Sequence, residues 1–242
     1  MNKAQIAELY RRLAAANPDP RSELVYSTAF ELLIAVVLSA QATDTGVNKV
    51  TARLFPLANT PQAILALGEP ALREQLKTIG LYQTKAKNVT ALCRRLLDHH
   101  GGEVPAIREA LQELPGVGRK TANVVLNIAF GEPTIAVDTH IFRIANRTGL
   151  APGKTPDRVS SKLEKITPVP YLLNAHHWLI LHGRHVCKAR KPECWHCAIA
   201  DLCRYRPKTP ASPPPSSAAA KALRRTKASK PPAPAKRARV GN

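Results

Sequence analysis

The chain has 242 residues, is 44% hydrophobic and carries a formal net charge of +19, with 36 lysines and arginines against 17 acidic residues. Such a length can bury one sizeable core or two small ones, and the basic surplus points to a polyanionic partner bound less tightly as salt rises, without separating DNA from RNA or an anionic membrane surface. No N-terminal apolar run resembles a signal peptide and no segment reaches the roughly 18 apolar residues of a membrane span, so a reducing cytoplasmic setting is predicted.

Taken in chain order, the pattern is helix after helix. Phe30, Leu33, Ile34, Val37 and Leu38 recur at three- and four-residue spacing, with Thr28 as the cap of the helix they predict. Ile64-Leu65-Leu67, Leu92-Leu96-Leu97 and Ile107-Leu111-Leu114 form similar stripes, separated by prolines and glycines. Cys93 falls inside the helical pattern from Val89 to Leu97 and reads as a small buried hydrophobe. Val124-Val125-Ile128-Ala129 continue a helix that begins near Arg119 and ends at Gly131. Thr134 to Val137 reads as a short extended run, followed by a helix from Thr139 to Arg147. Strand-like alternation is scarce. The fold class is therefore all-α, and the apolar stripes are core rather than sites.

Leu114-Pro115-Gly116-Val117-Gly118-Arg119-Lys120-Thr121-Ala122 is the most informative stretch. The chain reverses between two helical patterns at Pro115-Gly116-Val117-Gly118, where two glycines allow positive φ and leave no Cβ between backbone and ligand. The helix that follows directs its unpaired N–H groups and its positive dipole end at the turn, a setting that binds anions, and Arg119 adds charge there. An ordinary helix–turn–helix connection would show the same glycines, but the basic surplus favours phosphate. Lys120 lies in the first helical turn beside Arg119, where a second positive charge is disfavoured and the neutral, nucleophilic amine is favoured. Taken alone it would read as a solvated lysine. Asp138, eighteen residues on, changes that reading. It stands where a helix cap belongs, and the same carboxylate can stabilise cationic charge developing on a sugar ring.

Four of the five cysteines cluster as Cys187-x6-Cys194-x2-Cys197-x5-Cys203. In a reducing compartment disulfides explain them poorly, whereas four thiolates can enclose a metal centre. The spacing is neither the paired short-loop pattern of structural zinc nor the common ferredoxin run, and by itself leaves zinc and iron–sulfur level. Lys188, Arg190 and Lys191 in the first loop could offset thiolate charge or reach DNA phosphates. Residues 207–242 are different in kind. They hold nine of the basic residues, no acidic one, and the runs Pro213-Pro214-Pro215 and Lys230-Pro231-Pro232. A disordered basic tail is predicted, either a non-specific DNA tether or a solvated extension.

The hairpin, the lysine and Val137-Asp138-Thr139-His140 resemble the helix-hairpin-helix base-excision DNA glycosylases, most closely their branch with glycosylase and AP lyase activity and a 4Fe–4S cluster. Leu38 to Asp44, Thr78-Ile79-Gly80-Leu81-Tyr82 and His177 to Gly183 carry the same resemblance, which runs from about residue 1 to 206. It implies a two-lobed fold, with a central lobe over 22–132, a terminal lobe from 1–21 and 133–206, and the cleft between them. It implies a 4Fe–4S cluster on Cys187, Cys194, Cys197 and Cys203, structural rather than redox in role. It implies a monomer acting on double-stranded DNA with damaged bases or abasic sites. Lys120 and Asp138 would be catalytic, Gln41 would fill the gap left by a flipped nucleotide, and Leu81 would wedge between bases. Gly116, Val117, Gly118, Arg119, His140 and Lys191 would contact DNA. The reaction implied is removal of oxidised pyrimidines and strand cleavage by β-elimination through a lysine Schiff base. A monofunctional mismatch or adenine glycosylase, or a non-catalytic iron–sulfur DNA-binding module, would lack the need for Lys120 and Asp138 together. The tail departs from the family pattern and is not required for chemistry.

Overall fold

The computed structural model describes residues 1–211, and among these every regular element is helical. In order they are α1 (Lys3–Ala16), α2 (Ala29–Leu38), α3 (Asp44–Leu54), α4 (Pro61–Leu67), α5 (Glu69–Leu76), α6 (Tyr82–His100), α7 (Arg108–Gln112), α8 (Arg119–Phe130), α9 (Thr139–Thr148), α10 (Pro156–Ile166) and α11 (Val169–His185), then a 3₁₀ turn, Cys194–His196. Side chains start most of them. Thr28, Thr43, Thr60 and Thr155 each accept from a first-turn amide of α2, α3, α4 and α10, and Asn2 with Gln5 forms a reciprocal capping box on α1. Left-handed glycines, Gly101, Gly131 and Gly149, end α6, α8 and α9.

Two apolar cores result. The first gathers side chains from Phe30 to Leu126 around α2, which is buried from Phe30 to Leu38, so a helix without a polar face lies at the centre of its neighbours. Cys93 belongs to it, and burial pushes that thiol up to about 12, so it offers no thiolate. The second combines Ile6, Leu9, Tyr10 and Leu13 of α1 with residues of α9, α10 and α11. The N-terminal helix thus packs with the C-terminal half of the chain. A small cluster of Leu32, Val36, Val124 and Ala136 joins elements associated with both cores.

Residues Met1–Thr209 form one compact unit. The predicted tail begins inside it: Lys208 donates through Nζ to the carbonyl of Cys203 at 2.9 Å. From residue 212 onward the predicted tail lies outside the described residues.

Candidate active site and metal centre

Lys120 occupies the first turn of α8 and Asp138 is the N-cap of α9. These helices descend from different cores, yet both residues line one cleft, together with Ser39, Glu23, Asp44, His176, His177 and Arg184. Asp138 accepts through Oδ1 from the amides of His140 and Ile141, each at 2.8 Å. One carboxylate oxygen is thereby committed to the helix start, which fixes the group while the cleft remains open to it. Capping the helix and lining the cleft are compatible.

The hairpin is built as its glycines require. Gly116 has φ +80° and lies so close to Asn88 of α6 that an added Cβ would meet that side chain at 3.1 Å. Val117 differs from the sequence expectation in its side chain, which is buried in the first core, and its N–H donates to the Leu114 carbonyl at 3.0 Å. An aliphatic side chain between two turn glycines anchors the hairpin on the apolar interior. The donors left for an anion are those of Gly118 and the first turn of α8, which has no side-chain cap among the described residues. Arg119 is exposed and 3.9 Å from Asp157.

Gln41 and Leu81 share a backbone feature that no periodicity could show. Among the described residues they are the non-glycine positions with positive φ, +53° and +59°. Left-handed backbone costs an L-residue roughly 1–2 kcal/mol. Such strain persists where surrounding structure imposes it, often at sites that act. The two loops adjoin: a Cβ on Gly80 would lie 3.5 Å from the Gln41 carbonyl. Gln41 is exposed, and Leu81 is 54% exposed despite its aliphatic side chain.

His140 is held between helices. Its Nδ1 lies 3.2 Å from Nη2 of Arg143, and Gly183 of α11 approaches so closely that an added Cβ would meet the His140 Cβ at 2.9 Å. Arg184 was not singled out by sequence. From α11 its guanidinium pairs with Glu23 and Asp44, so residues 140 and 161 positions away in the chain meet at the wall of the cleft.

The four clustered cysteines line a single pocket, partly open to solvent, with His182, Val186, Pro192 and Ile199 around it. Four thiol donors on one pocket are the ligand set an iron–sulfur cluster takes. Arginines of α9 fix the loop. Arg143 donates to the carbonyls of Cys187 (2.9 Å) and Gly183 (2.8 Å), and Arg147 to those of Lys188 and Ala189, both at 2.7 Å. Arg147 also brings Nη1 to 3.7 Å from Sγ of Cys187, a cation beside a sulfur that would be anionic when ligated. Lys188 pairs with Glu193, so of the three loop cations Arg190 and Lys191 are the ones without a salt bridge among the described residues.

Residues 34–169 match the HhH-GPD superfamily of base excision DNA repair proteins, and residues 187–203, bounded by the first and last cysteine, match the iron–sulfur binding domain of endonuclease III. The chain is 60% identical over 208 residues to endonuclease III of Escherichia coli (strain K12), covering 86% of this chain and 99% of that protein. The endonuclease III of Haemophilus influenzae gives the same figures. Among solved structures, a trapped endonuclease III–DNA covalent intermediate aligns with a TM-score of 0.80 at 47% identity, covering 84% of this chain and 96% of that one. A thermostable thymine-DNA glycosylase aligns with a TM-score of 0.76 at 25% identity.

Proposed function

This chain belongs to the endonuclease III family within the HhH-GPD superfamily of base excision DNA repair proteins, and from that membership we propose that Lys120 is its nucleophile and Asp138 the acid beside it. The protein is a DNA glycosylase and AP lyase that carries a 4Fe–4S cluster and works on double-stranded DNA with damaged bases or abasic sites. The observation that carries the residue assignment is the convergence of Lys120 and Asp138, from helices of different cores, on one cleft.

The damaged nucleotide leaves the stack and enters the cleft. The neutral amine of Lys120 bonds to C1′ as the bond from C1′ to the base breaks, and the base departs with its electron pair. Asp138 stabilises the cationic sugar and receives the proton that the lysine gives up. Ring opening leaves an imine between Nζ and C1′. Loss of a proton from C2′ then expels the phosphate on the 3′ side, and the strand is cut without hydrolysis. Oxidised pyrimidines are the substrates that fit this family reading.

Gln41 fills the place of the flipped nucleotide, and Leu81 wedges beside it. Gly116, Val117, Gly118 and Arg119 form the hairpin that holds a phosphate, with the amides of Gly118 and the first turn of α8 as donors. His140 and Lys191 add contacts from α9 and the cysteine loop. Cys187, Cys194, Cys197 and Cys203 hold the cluster, which supplies a rigid scaffold for the loop rather than a step of the reaction. The two cores correspond to a central lobe over 22–132 and a terminal lobe from 1–21 and 133–206, and the protein acts at the bacterial nucleoid.

Borohydride reduction during reaction with a duplex containing one abasic site tests the assignment. Wild-type protein should yield an irreversible enzyme–DNA adduct, and Lys120→Gln should yield none. A wild-type protein without adduct, or a trapped Lys120→Gln, overturns it.

A further inference from the structure

Asp138 is delivered to the cleft by residues Thr134–Val137, all buried and outside any helix, with no neighbouring strand among the described residues to satisfy their backbone. Side chains of α10 and α11 do so instead, and the segment's own Thr134 adds a tie to α8. Thr134 donates through Oγ1 to the Asn123 carbonyl of α8 at 2.7 Å, tying this segment to the helix that bears Lys120. The Ile135 amide donates to Glu164 at 3.2 Å, and Ser160 donates to the Ile135 carbonyl at 2.7 Å, both from α10. The Ala136 carbonyl, two residues before Asp138, is met at 3.0 Å by Nδ1 of His176 on α11.

Of these holders, His176 is the one that also lines the cleft with Lys120 and Asp138. It is 4% exposed. A carbonyl can only accept, so Nδ1 carries the proton. Burial foremost, then the adjacent His177, pushes the imidazolium form down to about 3, against the pull of Asp138. The ring is therefore neutral in the working range, with Nδ1–H committed to Ala136 and Nε2 unprotonated.

We propose that His176 is a positioning residue for the lysine–aspartate reaction: its Nδ1–H clamps the Ala136 carbonyl and so fixes where Asp138 enters the cleft opposite α8. This rests on the roles given above to Lys120 and Asp138. A buried apolar side chain would fill the space but leave a carbonyl without its donor, and the segment would be free to shift. Misplacement of a reacting group by about 1 Å can cost on the order of 10²-fold in rate. Ground-state DNA binding, made by the hairpin and loops, does not depend on this bond.

Two amide variants of the full-length, cluster-loaded protein separate the two ring nitrogens. His176→Asn places a donor near the Nδ1 position, whereas His176→Gln carries its amide out to the Nε2 position. Single-turnover base removal should fall on the order of 10²-fold in His176→Gln, and His176→Asn should recover most of that loss. Affinity for duplex bearing a non-cleavable abasic analogue should match between the two, and both should be fully folded at the assay temperature, with the unpaired carbonyl lowering the melting temperature of His176→Gln. Equal rates in the two variants, fast or slow, overturn the clamp. So does a loss in the glutamine variant that is mirrored in affinity or in folded fraction, because that is a merely structural role. Lys120→Gln is trapped with borohydride in parallel. If it forms an adduct, the nucleophile assignment fails. If it forms none while both histidine variants react at the wild-type rate, only the clamp fails.

Discussion

Lys120 and Asp138 stand on helices fixed by their own backbone bonds and buried stripes, whereas Cys187 to Cys203 stand on a stretch whose helical content among the described residues is the three-residue turn Cys194–His196. The first region inherits rigidity from two cores. The second has few buried apolar side chains of its own and borrows order from Arg143 and Arg147, which hold its carbonyls from α9. Such a loop gains the rest of its stability from ligation, because binding free energy at a structural metal is folding free energy. The residues proposed for the chemistry thus sit where the fold is self-supporting, and the cysteine loop is the part that a cofactor completes.

The largest effect expected from this contrast is at Lys120. Lys120→Gln should remove strand cleavage altogether while duplex affinity changes little, since the α8 amides and Arg119 remain; nicking of abasic duplex, measured beside filter or gel binding, checks both halves. Asp138→Asn comes next. Asparagine caps helices about as well as aspartate, so stability should stay within a few tenths of a kcal/mol, whereas Asp138→Ala should lose about 1 kcal/mol. Both should slow base removal by orders of magnitude. If the asparagine variant is fast and only alanine is slow, Asp138 is a cap and nothing more.

Cys194→Ser sharpens the comparison from the other side. It should lose iron, expose residues 187–203 to proteolysis and weaken DNA binding, yet still form the borohydride adduct at saturating DNA, because the cleft rests on its own cores. Loss of the adduct at saturation would show that the two regions are not independent. Leu81→Gly is a smaller perturbation. Relief of left-handed strain, roughly 1–2 kcal/mol, outweighs or matches the roughly 0.4–1 kcal/mol that an added glycine costs through the unfolded chain. Chemical denaturation should find stability unchanged or slightly raised while affinity for damaged duplex falls; a clear loss of stability would mean that Leu81 is packed for the fold.

What the sequence made legible was local or repeated. Stripes at three- and four-residue spacing gave the helices, Thr28 and Asp138 read as caps, and four cysteines within seventeen residues read as one centre. What it hid was long-range or conformational. Arg184, Glu23 and Asp44 have no common pattern in the chain, and their pairing exists only once α11 is folded against α3. The role of His176 is equally hidden, because a bond to the carbonyl of Ala136, forty residues away, leaves no mark in spacing. The backbone state of Gln41 and Leu81 is likewise imposed by neighbouring loops rather than by residue type. Lys208 was assigned to the tail on composition, yet one hydrogen bond to Cys203 ties it to the compact unit.

The smallest effect should come from the chain beyond that unit. Residues 212–242 carry eight lysines and arginines and no acidic residue, while none of the groups placed in the cleft or the cysteine centre lies there. Each basic residue that neutralises a phosphate contributes about 0.9 to the slope of log affinity against log salt on duplex DNA. A protein ending at Ala211 should therefore keep its single-turnover rate at saturating DNA and lose part of that slope, with the affinities of the two forms converging at high salt. Ending at Ala211 rather than at Arg206 matters, since the shorter chain would also remove Lys208 from the wall of the cysteine cavity. An unchanged slope would make the extension a bystander in DNA binding, and a reduced rate at saturation would mean that the cleft is not as self-sufficient as its two cores make it.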